Sequence, residues 1–191
     1  MDLTNQFLIA MPSLGDSNFS RTVTYICSHS QDGAMGIVIN RELELSLGEL
    51  YQHMQLKPAA SAELEQAVML GGPVETQRGF VVFPPEDGGE PESEGDWDSV
   101  IQVKNGLRVA TSRDILVAMA AGDGPRQTLV ALGYAGWGAG QLESEVLDNA
   151  WLSGGANFEI VFDCPIESRW YKAAKAIGVD LNRLSTTAGH S

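Results

Sequence analysis

The sequence predicts an α+β domain built on a mixed, largely antiparallel sheet. Three observations carry this expectation. Nine short runs are β-branched or aromatic and are bounded by Gly, Pro or Asp. Two pairs of these runs are joined by hairpin-length connections. Four helical patterns with their own start or stop signals are scattered among them. Strands and helices mixed in this order, without a regular βαβ alternation, read as α+β.

The strands are expected at 7–11, 23–29, 33–40, 67–70, 79–83, 100–103, 108–111, 128–134 and 158–162. Residues 30–32 join the second and third as a hairpin, and Lys104-Asn105-Gly106-Leu107 joins the sixth and seventh, Asn-Gly being a strong turn signal. Gly71-Gly72-Pro73-Val74 reads as a turn between strands, where Pro fixes φ and Gly permits the bend. Ser46-Leu47-Gly48-Glu49 is a capping box, and Leu47, Leu50, Tyr51 and Met54 form one helix face behind it. Ser112 caps a helix over 113–121, with Asp114 in its first turn and Gly122 ending it. A third helix covers 141–149. Pro165 at the first helical position opens a fourth, over 166–177, which Gly178 ends.

A chain of 191 residues fits one domain, and 43% hydrophobic residues suffice for a core without disulfides or metals. Cys27 and Cys164 are far apart and belong to no metal-binding spacing, which leaves two readings, a reduced, cytoplasmic protein or a single long-range disulfide, the first being the simpler; no cofactor is expected. The first residues lack a basic region followed by an apolar stretch, and no apolar run is long enough to span a membrane. The formal net charge is −13, and seven of the 25 acids fall in residues 86–98 with no base among them. Residues 84–98 read as a disordered acidic surface insertion in which Trp97 alone has a docking group. No basic stripe is present, so direct nucleic-acid binding by a monomer is not expected.

The glycine run Gly133, Gly136, Gly138, Gly140 precedes the third helix. It departs from a dinucleotide fingerprint, because Gln141 stands where the third glycine belongs and no βαβ unit surrounds it. Two readings stand: an anion or nucleotide-like ligand near 138–141, or a tight strand-to-helix turn with Trp137 plugged into the core. Candidate ligand-binding residues are Gly136, Trp137, Gly138, Gly140, Gln141, Gly71, Gly72, Asn40 and Arg41. Cys164, expected at the cap of the fourth helix, is either a lowered-pKa thiol or a small buried hydrophobe. Of three histidines, His29 ends a strand beside a turn, His53 sits on a polar helix face and His190 adjoins the C-terminus. No nucleophile elbow, phosphate loop or zinc motif occurs, and no catalytic or metal set is assigned.

The segments FLIAMP (7–12), DSNF (16–19), VTY (23–25) with His29, GAMG (33–36) with INR (39–41), GGPV (71–74), GYAGW (133–137), GQLE (140–143), NAWL (149–152), FD (162–163) and AGH (188–190) run in order along nearly the whole chain. With them the chain resembles the YqgE/AlgH family. The resemblance implies a single domain over 1–191 with a bent, barrel-like mixed sheet flanked by helices. It implies no catalytic residues, and one member is linked by name to transcriptional regulation of alginate synthesis. The expected function is a non-enzymatic cytoplasmic protein that binds a small molecule or a protein partner, with a regulatory role. Two alternatives remain: a transcriptional regulator acting indirectly or as a dimer, and an enzyme whose site converges around Asp163, His29 and Asn40.

Overall fold

The computed structural model describes residues 1–85, 97–103 and 106–185. Ten strands are joined in one sheet: β1 (Gln6–Ala10), β2 (Val23–Ser30), β3 (Gly33–Val38), β4 (Glu42–Ser46), β5 (Ala67–Leu70), β6 (Val74–Phe83), β7 (Val100–Gln102), β8 (Arg108–Ala110), β9 (Leu129–Gly138) and β10 (Trp151–Gly155). The helices are α1 (Leu47–His53), α2 (Arg113–Ala121), α3 (Gln141–Leu147), α4 (Phe158–Phe162), α5 (Arg169–Ala176) and α6 (Leu181–Ser185). The main path of the sheet is β10-β1-β2-β3-β9-β6-β8-β7, with β4 and β5 attached beside β9. Every pairing is antiparallel except β5 with β9. This is the mixed, largely antiparallel α+β sheet the sequence predicts, curled into a half barrel like that of its structural relative described below.

Strand β9 is the spine. Its first half pairs with β5 and β6, and its second half pairs with β3. Gly133, at φ +74°, stands at the changeover. Side chains in a strand alternate between faces with period two, and an irregular residue resets that register. Leu129 and Ala131 face one core, and Val130 and Leu132 face another. Beyond Gly133 the odd positions Ala135 and Trp137 have moved to the opposite side, while Tyr134 faces the first core. A Cβ at Gly133 would lie 2.5 Å from the Gly72 carbonyl oxygen, and one at Gly72 would lie 2.1 Å from the Tyr134 backbone. The two glycine motifs of the sequence therefore close against each other, backbone to backbone, and the sheet bends there.

The alternation divides the apolar residues into cores on both faces. On one face, Phe7, Ile9, Tyr25, Ile37, Phe80 and Val82 pack beneath α4 and α5. On the other, Val68, Val81 and Val130 meet α1 and α2, while Leu8, Ala10, Ile26 and Trp137 meet α3 and Trp151.

Several elements differ from the sequence expectation. Residues 158–162 form helix α4, not a strand: the Asn157 side chain accepts a hydrogen bond from the Glu159 N–H at 2.9 Å and starts the helix. A five-residue apolar run carries no period that separates the two states. The helix expected over 166–177 opens with a 3-10 turn, Ile166–Ser168, and becomes α-helical only at Arg169. Cys164 is consequently not a helix cap; it follows α4, buried. Strand β9 runs on through Gly136 to Gly138, so these glycines lie within a strand and not in a loop. Edge strands β4 and β10 were not foreseen, the latter because Ser153-Gly154-Gly155 carries little strand propensity. The acidic insertion falls largely in residues 86–96, outside the described residues, as does the Asn105 half of the second hairpin turn; Trp97 packs against the α1–α2 core.

Candidate functional site

Asn40 accepts the Val23 N–H on its Oδ1 at 2.7 Å and donates its Nδ2 to the Arg21 carbonyl at 2.9 Å. Arg41 donates to the carbonyls of Ser17, Asn18 and Ser20 and so clamps the loop that carries Phe19. Phe19 stacks on Trp137 at 6.0 Å and meets Trp151 edge-on at 5.5 Å. Gln141 accepts the Gly138 N–H at 3.0 Å and donates to Glu145 at 2.9 Å. Gly71 and Gly72 lie against Gly133 and Tyr134. Each of these groups has its partner inside the protein. Of the set, Gly136 and Trp137 border an open hollow of about 710 Å³ that also borders Met35, Arg78 and Tyr134. Arg78 there is paired with Glu75 at 3.2 Å.

His29, Asn40 and Asp163 are not brought together. His29 accepts the Leu3 N–H on Nδ1 and meets Glu143 through Nε2, both at 3.0 Å. Asp163 instead accepts from Gln127 at 3.1 Å. Among the described residues no group of three His, Cys, Asp or Glu side chains is arranged to hold a metal ion, and no helix is long and apolar enough to cross a membrane.

A second hollow, of about 640 Å³, lies between the α1–α2 layer and the α4–α5 layer at the start of β9. That volume is in the range of small-molecule sites. None of its lining residues is among those the sequence marks as functional. Its walls are set by local chemistry. The capping box is present as expected: the Glu49 N–H donates to Ser46 Oγ at 3.3 Å, and the Ser46 N–H donates to the Glu49 carboxylate at 2.8 Å. With α1 fixed, Leu47, Leu50 and Tyr51 turn inward together. Gln66 donates to the Thr128 carbonyl at 2.6 Å and ties the segment before β5 to the start of β9. The Gln127–Asp163 bond ties the same loop to the end of α4. The hollow is thus braced before anything enters it.

Two lining groups stand out. Tyr51 is fully buried, and its hydroxyl has no hydrogen-bond partner. Three such buried side-chain oxygens occur among the described residues, the others being on Thr24 and Glu143, and of the three residues Tyr51 borders one of the two hollows. Burial, aided by the nearby Glu63 charge, pushes the Tyr51 hydroxyl up to about 12, so it remains a neutral donor. Arg169, the first residue of α5, is 6% exposed and donates its Nε to the Cys164 carbonyl at 3.1 Å and its Nη1 to the Ile39 carbonyl. Burial lowers its pKa from the ordinary arginine value. Met69, Met119, Leu129, Val161 and Phe162 complete an apolar part of the lining. The one sequence signal was the spacing of α5, which places Arg169 on the same buried face as Trp170, Ala173 and Ala174.

The comparisons with known proteins agree with this architecture. A family model described as AlgH-like matches residues 7–182. A protein of Nitrosococcus oceani named only as a UPF0301 protein is 51% identical over 187 residues, covering 98% of this chain and 96% of its own. A UPF0301 protein of Thioalkalivibrio sulfidiphilus is 52% identical over 190 residues, covering 100% and 97%. The solution structure of the AlgH protein from Pseudomonas aeruginosa superposes with a TM-score of 0.77 at 45% identity, covering 100% of this chain and 97% of that one. A crystal structure from Corynebacterium diphtheriae shares the fold at a TM-score of 0.74 and 19% identity, over 96% and 91% of the two chains. With a family model over most of its length and relatives at half identity, the chain belongs to the AlgH-like family.

Proposed function

We propose that this protein is a non-enzymatic, cytoplasmic binding protein that takes a small molecule in the hollow between the α1–α2 and α4–α5 layers, with a regulatory consequence. The observation that carries this reading is the hollow itself, of about 640 Å³, bordered by two buried polar residues, Arg169 and Tyr51, the second with an unpartnered hydroxyl. An orphaned buried donor costs free energy in the empty protein, and a ligand acceptor removes that cost. The braced walls support binding without a large rearrangement. The separate hydrogen-bond partners of His29, Asn40 and Asp163 favour binding over the enzymatic alternative.

The experiment is a thermal-shift screen of the purified protein against metabolites and nucleotides, repeated with Met69→Trp, a substitution chosen to add bulk at the wall of the hollow. A ligand at ~100 times its dissociation constant adds about 2.7 kcal/mol, a readily measured shift. The proposal predicts hits that the Met69→Trp variant loses. Hits retained in full by that variant contradict it.

A further inference from the structure

Resting on that reading of the hollow, we infer that its ligand carries an anionic group, a carboxylate or a phosphate, held by the Arg169 guanidinium. Buried charges in proteins are paired or bound to ions. Arg169 is buried, and no carboxylate among the described residues lies within 4.0 Å of it, Glu42 and Glu167 acting on it from farther away. Its two protein partners are carbonyl oxygens, which orient the guanidinium plane without neutralising its charge. Among the described residues nothing accepts from Nη2. The Nη2 N–H groups that remain can donate charge-assisted hydrogen bonds to a carboxylate or phosphate oxygen.

The rest of the lining narrows the ligand. Glu63 borders the same hollow and acts on Tyr51, so the anionic group belongs at Arg169, and the Tyr51 hydroxyl takes a neutral acceptor. Arg126 adds a second cation to the wall. Apolar side chains from β5, β9 and α4 also line the space and suit a hydrocarbon or ring body. The class is a small organic acid or phosphate ester with an apolar portion and a second acceptor. The net charge of −13 opposes anions at long range, so recognition rests on short-range contact at Arg169 and not on steering.

The test is an NMR titration of the full-length, isotopically labelled protein with benzoate, phenyl phosphate and benzamide. It follows the Arg169 Nε–H signal and the Met69 and Met119 methyls. Benzoate or phenyl phosphate is expected to move all three, the one that binds more tightly naming the anion, with benzamide at least about tenfold weaker. Arg169→Gln is expected to abolish the preference for the anion, and Arg169→Lys to keep it at reduced affinity. Should Arg169→Gln fail to fold, the comparison of anion with amide in the native protein decides alone. Equal binding of benzamide with the Arg169 signal unmoved overturns the anionic inference and leaves the hollow as a binding site. An Arg169 signal that responds to neither anion also overturns it, while the library screen judges the hollow separately.

Discussion

Trp137 and Trp151 donate their indole N–H groups to the same carboxylate oxygen, Oε2 of Glu145, at 2.9 and 2.8 Å. Their rings meet edge to face at 6.1 Å, and Gln141 holds the other oxygen of Glu145 at 2.9 Å. One acidic side chain on α3 thus locks the end of β9 to β10. Glu145→Ala leaves two indole donors in a largely buried setting without an acceptor. The expected loss is about 2 kcal/mol of unfolding free energy, and Glu145→Gln, which keeps one acceptor oxygen, is expected to lose about half of that. Denaturant unfolding followed by tryptophan fluorescence measures both.

The contact between Gly72 and Gly133 is backbone against backbone, so no flexible side chain is there to move aside. Gly133→Ala adds a Cβ at a positive φ and within 2.5 Å of a carbonyl oxygen. A cost above ~3 kcal/mol is expected, enough to deplete the folded population. Gly155→Ala, with nothing within 4 Å of the new methyl, is the control and is expected to change stability by less than about 1 kcal/mol. Circular dichroism melts of the two variants distinguish a close approach from a general intolerance of substitution.

His29 and Glu143 join the N-terminal segment to α3. The His29 side chain is 1% exposed and accepts the Leu3 N–H, which leaves its other nitrogen to donate to Glu143. The Glu143 carboxyl is held below its usual value of 4.5, first by its own backbone N–H and then by the His29 bond. A carboxyl with a depressed folded-state pKa contributes stability that is complete above the unfolded value and is lost as pH falls through the folded one. The native protein is therefore expected to lose more stability between about pH 5 and 3 than Glu143→Gln does. Unfolding free energies measured at several pH values check the sign, and a parallel fall in the two proteins contradicts it.

Tyr51→Phe removes a hydroxyl that has no partner in the empty protein. Its stability without ligand is expected to be unchanged or raised by up to ~1 kcal/mol, since an unsatisfied group is deleted and the ring is kept. The thermal shift produced by a ligand of the hollow is expected to shrink in the same variant. A destabilised Tyr51→Phe protein would mean that the hydroxyl is satisfied without ligand.

Local signals read well from the chain. The Ser46–Glu49 capping box places α1, and eight of the nine runs read as strands lie in strands of the sheet. Cooperative placement did not read. Whether residues 158–162 coil or extend is settled by Asn157 and the cores beneath them, not by their own pattern. The candidate site joins Tyr51, Arg126 and Arg169 from elements distant in the chain, so no motif marks it. The glycine-rich signature is conspicuous in the sequence because its requirements are local and severe. In the fold Gly71, Gly72 and Gly133 admit a neighbouring backbone, and the Gly138 N–H holds Gln141, which in turn holds Glu145 between the tryptophans.

The central claim is that the hollow beside Tyr51 and Arg169 is the binding site, and the methionines give a direct reading of it. Met69 and Met119 line that hollow, and Met35 lines the open one beside Gly136 and Trp137. Methionine-methyl NMR of the labelled protein, titrated with the strongest hit of the thermal-shift screen, separates the two in one spectrum. The account predicts that the Met69 and Met119 signals move together and saturate while Met35 stays in place. Movement of Met35 with Met69 and Met119 unchanged would contradict it.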